Sequence, residues 1–112
     1  MATLKSTYKS ISATPTSGTG SEGTEIGRLS ASAVSAKGKI SEIIIANGSS
    51  STDVTYSLTL TRNNKIVTIT PNTTLAKNDV HVKSMSTFIQ GGDIVRIKTS
   101  GVVKTSVSII EL

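Results

Sequence analysis

From Val54 to Thr61 the chain alternates without a break. Val54, Tyr56, Leu58 and Leu60 lie on one phase, and Thr55, Ser57, Thr59 and Thr61 on the other. Side chains along a strand point to opposite faces in turn, so this stretch predicts a strand with one buried and one wet face. The next four residues, Arg62-Asn63-Asn64-Lys65, predict a tight hairpin turn. Asn tolerates the left-handed backbone that such turns require. Ile66, Val67 and Ile69 form the returning strand, which Pro71-Asn72 is expected to stop.

Similar punctuation runs through the rest of the chain. Upstream, Ile40, Ile43, Ile44 and Ile45 make a β-branched strand closed by Asn47-Gly48 and three serines. Downstream, residues 72–79 read as a connection anchored by Leu75. Val80 and Val82 open a strand running through Met85 to Phe88 and Ile89, with both valines expected to face the core. On that phase His81 faces solvent or an interface. Gly91-Gly92-Asp93 is a turn, and Val95 and Ile97 follow with Arg96 and Lys98 directed outward. After a turn at Gly101, Val107 and Ile109 alternate with Ser106 and Ser108. About six strands after residue 38, and one or two before it, predict an all-β fold. The expected architecture is a small antiparallel β-sandwich, jelly-roll or immunoglobulin-like, with a small β-barrel as the alternative. No long helical pattern interrupts the strands.

The first third of the chain differs. Residues 12–24, SATPTSGTGSEGT, are nearly all small or polar and cannot bury enough apolar area to fold alone. Residues 1–24 are therefore expected to be an extended or flexible N-terminal arm, followed by the sandwich over 25–112, best defined over 39–112. Leu4, Tyr8 and Ile11 are the arm's apolar anchors and the candidate partner contacts. In 25–36, Ile26, Leu29 and Val34 are irregularly spaced. Either a short helix from Ser30 or an irregular strand fits them, and the serines favour the strand.

Composition narrows the chemistry. The chain of 112 residues holds 18 Ser, 17 Thr, 13 Ile and 9 Val, but only three aromatics, Tyr8, Tyr56 and Phe88. An aliphatic core of this size is shallow, so self-association is expected to deepen it. With no Cys, a disulfide framework, an iron–sulfur cluster and a cysteine zinc site are excluded. No apolar run approaches the roughly 20 residues of a spanning helix, and no apolar h-region follows Lys5, so no membrane partner is expected. The net charge is +5, yet no two basic residues are adjacent and the three aromatics lie far apart in sequence. Nucleic acid is therefore not an expected partner.

No constellation of nucleophile, base and orienting acid stands out, and His81 has no obvious partners for that work. Asp79 and Asp93 border turns, where a carboxylate commonly caps its own backbone, and Asp53 starts a strand after a serine-rich loop. Their dispersal is weak evidence for Ca²⁺. Gly38-Lys39-Ile40-Ser41 is not a phosphate loop, because Ala33 stands where the earlier glycine is required and Ile40 separates Lys39 from Ser41. Asn47-Gly48-Ser49 and Asn72-Thr73-Thr74 match glycosylation sequons, as chance allows in so polar a chain. The expectation is a protein that is not an enzyme and has no catalytic residue, cofactor or metal.

The stretch Lys39–Leu112 resembles the small β-sandwich virion proteins of tailed bacteriophages: capsid decoration, head–tail or tail-associated subunits. The resemblance lies in the strand leading into IIIANGSSSTDVTYSLTL and in the connection NTTLAKNDV. It continues in IQGGDIVRIKTS, a Gly-Asp turn before a Val/Ile strand, and in the closing SVSIIEL. It implies a structural protein located in the virion, bound to capsid or tail proteins and present as a homo-oligomer, with the arm reaching onto neighbours. No functional residue carries over. The competing reading is an adhesion or carbohydrate-binding module at a fibre tip or cell surface, with a glycan as partner. It needs either a carboxylate-lined groove or an exposed aromatic, for which Tyr8 is the candidate, since Tyr56 falls on the buried phase.

Overall fold

The structure, a computed structural model, describes residues 23–111 and the backbone of residues 7–13. Among these described residues eight strands follow one another: β1 (Thr7–Ala13), β2 (Thr24–Gly27), β3 (Lys37–Ala46), β4 (Val54–Arg62), β5 (Lys65–Leu75), β6 (Val80–Gln90), β7 (Ile94–Thr99) and β8 (Lys104–Glu111). They form two antiparallel four-stranded sheets, β1-β8-β3-β6 and β2-β7-β4-β5, called sheets A and B below. The pairs β1·β8, β2·β7, β3·β6 and β4·β5 nest within one another along the chain. A long hairpin rolled up on itself produces this order, so the sandwich has jelly-roll topology. No described residue is helical, and residues 30–36 form a loop closed by Ala36 N–H donating to the Ala33 carbonyl.

Strand β4 behaves as its alternation predicts. Val54, Tyr56, Leu58 and Leu60 are buried between the sheets. They meet Ile40, Ile43 and Ile45 of β3, Ile97 of β7 and Val107 and Ile109 of β8 in one core. Each aliphatic side chain buried this way stabilises the fold by about 1.5–3 kcal/mol. In β3 the spacing from Ile40 to Ile43 is odd, yet both are buried, because the register shifts between Ile40 and Glu42. The irregularity returns Ile40 to the inner face and leaves Ile44 half-buried on the outer one.

The turn between β4 and β5 is the expected two-residue hairpin, with Asn63 at φ 51° and Asn64 at φ 63°. The expected stop at Pro71-Asn72 is corrected: β5 runs on to Leu75, whose side chain is fully buried. β5 is the outermost strand of its sheet, where a missing N–H costs no ladder bond, and its register shifts opposite Tyr56–Leu58. Gly91 is required by close approach: a Cβ there would stand 1.9 Å from the Ala33 carbonyl oxygen.

A second correction concerns β6. Ile45 is fully buried and lies opposite His81 in the ladder, so His81 shares the inner face. Val80 and Val82 are therefore directed outward, half exposed, the reverse of the expected phase. Within the segment expected as an arm, Thr7–Ala13 is the edge strand β1, in register with Thr105–Glu111 of β8.

Candidate functional site

The most distinctive surface of this fold is the outer edge of sheet A. Strand β6 pairs with β3 on one side, and no described strand pairs with it on the other. Along its 11 residues the outward positions are Val80, Val82, Ser84, Ser86 and Phe88. Phe88 is 68% exposed, Val82 55% and Val80 50%. Free backbone N–H and C=O groups beside an apolar stripe make a template for another strand. Sequence reasoning placed these residues in a strand but missed their exposure. No local signal marked it, because the polar set His81, Lys83 and Thr87 on the opposite phase argues for buried valines.

Behind this edge, His81 joins the two sheets. Its Nδ1 shares a 2.8 Å hydrogen bond with the hydroxyl of Tyr56 on β4, and the two rings meet edge-on with centroids 5.7 Å apart. Burial raises the phenol above its ordinary value, which keeps Tyr56 protonated. Asp79 Oδ2 lies 3.9 Å from His81 Nε2, beyond hydrogen-bond range, while its Oδ1 accepts the Val80 N–H at 2.8 Å. The three groups lie in an acid–base order, but the hydroxyl at its end is buried and protonated. Their evident work is to latch β6 onto β4.

Asp93, at the Gly-Gly turn, ties the far ends of the same two strands. It is buried, receives Arg62 Nε at 2.9 Å and Nη2 at 2.5 Å, and accepts the Gln90 N–H at 2.9 Å. Burial alone would raise this carboxyl. The Arg62 and Gln90 hydrogen bonds outweigh it and hold Asp93 below the usual range. Asp53 similarly accepts the Lys77 N–H. The three aspartates therefore act as turn caps. Among the described residues no three His, Cys, Asp or Glu side chains are grouped to hold a metal.

The outer face of sheet B carries a shallow, open depression of about 380 Å³ lined by Thr55, Ser57, Asn72, Lys98, Thr99 and Ser100. Two of its hydroxyls serve the local turn: Ser100 Oγ accepts the Thr55 N–H, and Thr99 Oγ1 donates to the Gly101 carbonyl. No aromatic lines it, and Phe88 lies on the other sheet.

Of the candidate partner contacts, Leu4 lies outside the described residues. Tyr8 and Ile11 belong to β1, opposite Ile110 and Val107, and their side chains lie outside the description. The sequons separate cleanly. Asn72 is exposed, whereas Asn47 is buried with its amide donating to the Thr52, Leu75 and Ala76 carbonyls, a knot that leaves no room for a glycan. Comparison with known proteins yields no matching family model, no matching curated protein and no matching solved structure.

Proposed function

We propose that this chain is a non-enzymatic structural subunit of a tailed-phage particle, one that binds capsid or tail proteins and contributes to virion assembly or stability. The observation that carries the reading is the apolar outer edge of β6, where Val80, Val82 and Phe88 stand exposed beside backbone that no described strand pairs. A surface of that kind is a liability for an isolated domain and an asset for a subunit held by neighbours. The side-chain clusters behind it are consistent with a structural role, since Tyr56–His81 and Arg62–Asp93 both fasten strands. The test is cosedimentation of the purified protein with virions prepared without it. Saturable, stoichiometric binding is the expected result, and no binding at any concentration would overturn the reading.

The alternative, a carbohydrate-binding module, draws on the polar depression of sheet B, whose Ser57, Asn72 and Lys98 suit a hydroxyl-rich ligand. It is the weaker reading because the exposed aromatic and the polar depression lie on different sheets. A glycan array with specific hits lost on Asn72→Ala and Lys98→Ala would favour it.

A further inference from the structure

We infer that β6 is the contact between two copies of this chain, which pair antiparallel edge to edge so that the two A sheets become one eight-stranded sheet. This deepens the subunit reading above and rests on it for self-association. The argument begins with the free edge. No described strand satisfies the outer N–H and C=O groups of Val80–Gln90, and an antiparallel copy of the same strand can satisfy them all.

Full overlap of Val80–Gln90 with itself puts the twofold axis at Met85. Outward Val82, Ser84, Ser86 and Phe88 then oppose one another, and Val80 opposes Gln90 at the strand end. Val82 faces Phe88 of the second copy, Ser84 faces Ser86, and Val80 lies diagonal to that same Phe88. Aromatic–β-branched pairs are among the favourable cross-strand contacts, and twofold symmetry supplies this one twice. Phe88, Val82 and Val80 are the exposed apolar residues of the strand, and this register uses all three.

The inner phase is equally self-complementary. Met85 meets Met85, His81 meets Ile89 and Lys83 meets Thr87. Lys83 also disfavours one competing register: sliding the axis to residue 83 would set two ammonium groups directly opposite, which is destabilising. A lysine on the inner face of an edge strand disfavours promiscuous pairing, and the full-overlap register keeps the two lysines from facing each other. Once paired, each β6 has no free edge, so this contact closes at two copies.

The test uses charge at exposed positions, where the monomer fold is indifferent. The wild-type chain is expected to sediment at twice its 11.6 kDa mass. The double variant Val82→Lys/Phe88→Lys places like charges opposite each other twice and should weaken the dimer by about a hundredfold or more. The variant Val82→Glu/Phe88→Lys places opposite charges in the same pairs and should restore dimerisation toward the wild-type value. Far-UV circular dichroism and thermal melting of dilute samples confirm that both variants fold. A wild-type monomer up to about 1 mM chain overturns the inference, as does an oligomer indifferent to the lysine pair. Failure of the Glu/Lys swap to restore pairing overturns the register. A monomer that still binds virions through Val82 and Phe88 assigns this edge to a particle protein. That result would leave the subunit reading intact while sinking the self-pairing.

Discussion

Strands β4 and β6 carry the same period-two signature and use it in opposite ways. β4 lies inside sheet B, between β7 and β5, and its apolar phase, Val54 to Leu60, is buried. β6 lies at the edge of sheet A, and its apolar phase, Val80, Val82 and Phe88, is in water. Its inner phase is His81, Lys83, Met85, Thr87 and Ile89, of which only Ile89 is buried. The difference teaches that alternation specifies a strand and two faces, while the face that turns inward is set by the register with the neighbour. For β6 that neighbour is β3, and the decisive contact is Ile45 opposite His81. A one-residue slip would bring both valines inside and throw His81 out. The latch to Tyr56 exists only in the observed phase, since a slip would carry His81 away from it.

The sharpest way to break the comparison is to truncate one apolar residue from each strand. Leu58→Ala removes a fully buried side chain and is expected to cost about 2–5 kcal/mol in urea unfolding. That is a large share of the stability of a domain this size. A loss below about 1 kcal/mol would show that β4 is not the centre of the core.

Next in size is the clamp that joins the C-terminal ends of the two strands. Arg62 is the last residue of β4 and Gln90 the last of β6, and Asp93 holds both. Asp93→Asn keeps the shape but removes the charge, with an expected cost of about 1–3 kcal/mol at pH 7. Arg62 is itself 42% exposed on its side chain, so solvent screening places the expected value at the low end. The pH dependence has a definite sign. Asp93 is held below its unfolded value of about 3.9, so its contribution is complete above that pH and fades as pH falls through the lower folded value. Wild type and Asp93→Asn should therefore differ at pH 7 and converge in strong acid. A gap that widens on acidification would contradict the clamp.

Tyr56→Phe tests the latch between the sheets. It deletes only the hydroxyl that meets His81 Nδ1. The expected loss is about 0.5–1.5 kcal/mol, moderated because His81 is 27% exposed on its side chain and water can replace the lost partner. A change in the protection of β6 amides from exchange, without a comparable change in β7, would locate the effect at the edge. Equal loss of protection in both strands would mean that the latch supports the whole fold.

These contrasts explain what the amino-acid order made legible. The β4–β5 hairpin is local: its alternation and its two Asn residues suffice, and no distant strand need be known. The closing strand β8 is legible for the same reason, Val107 and Ile109 alternating with Ser106 and Ser108. The caps of Asp79 and Asp93 were readable because the Val80 and Gln90 N–H groups they accept are local, whereas Asp53 reaches across to the Lys77 N–H. The phase of β6 was not, since it depends on a partner some 35 residues away in sequence and on an irregularity in β3 between Ile40 and Glu42. The continuation of β5 through Pro71 was hidden because proline is permissive at an edge, and edges are defined only once the sheet is assembled. The apolar edge itself was hidden by a sound habit of reasoning, that valines on a strand point inward.

The smallest expected effect is the most discriminating. Val82→Thr and Phe88→Ser alter side chains that are more than half exposed, so each should leave the stability of the isolated chain within about ±0.5 kcal/mol. That holds only where the chain is monomeric. A copy-to-copy contact makes apparent stability depend on concentration, because association with the folded state alone adds to the free energy of unfolding. Melts of wild type and Phe88→Ser should therefore coincide in dilute samples and separate as the chain is concentrated, with wild type rising. Coincidence at every concentration would remove any energetic role for the exposed ring. Separation that persists at the highest dilution would mean that Phe88 packs within its own chain, and β6 would then resemble β4 after all.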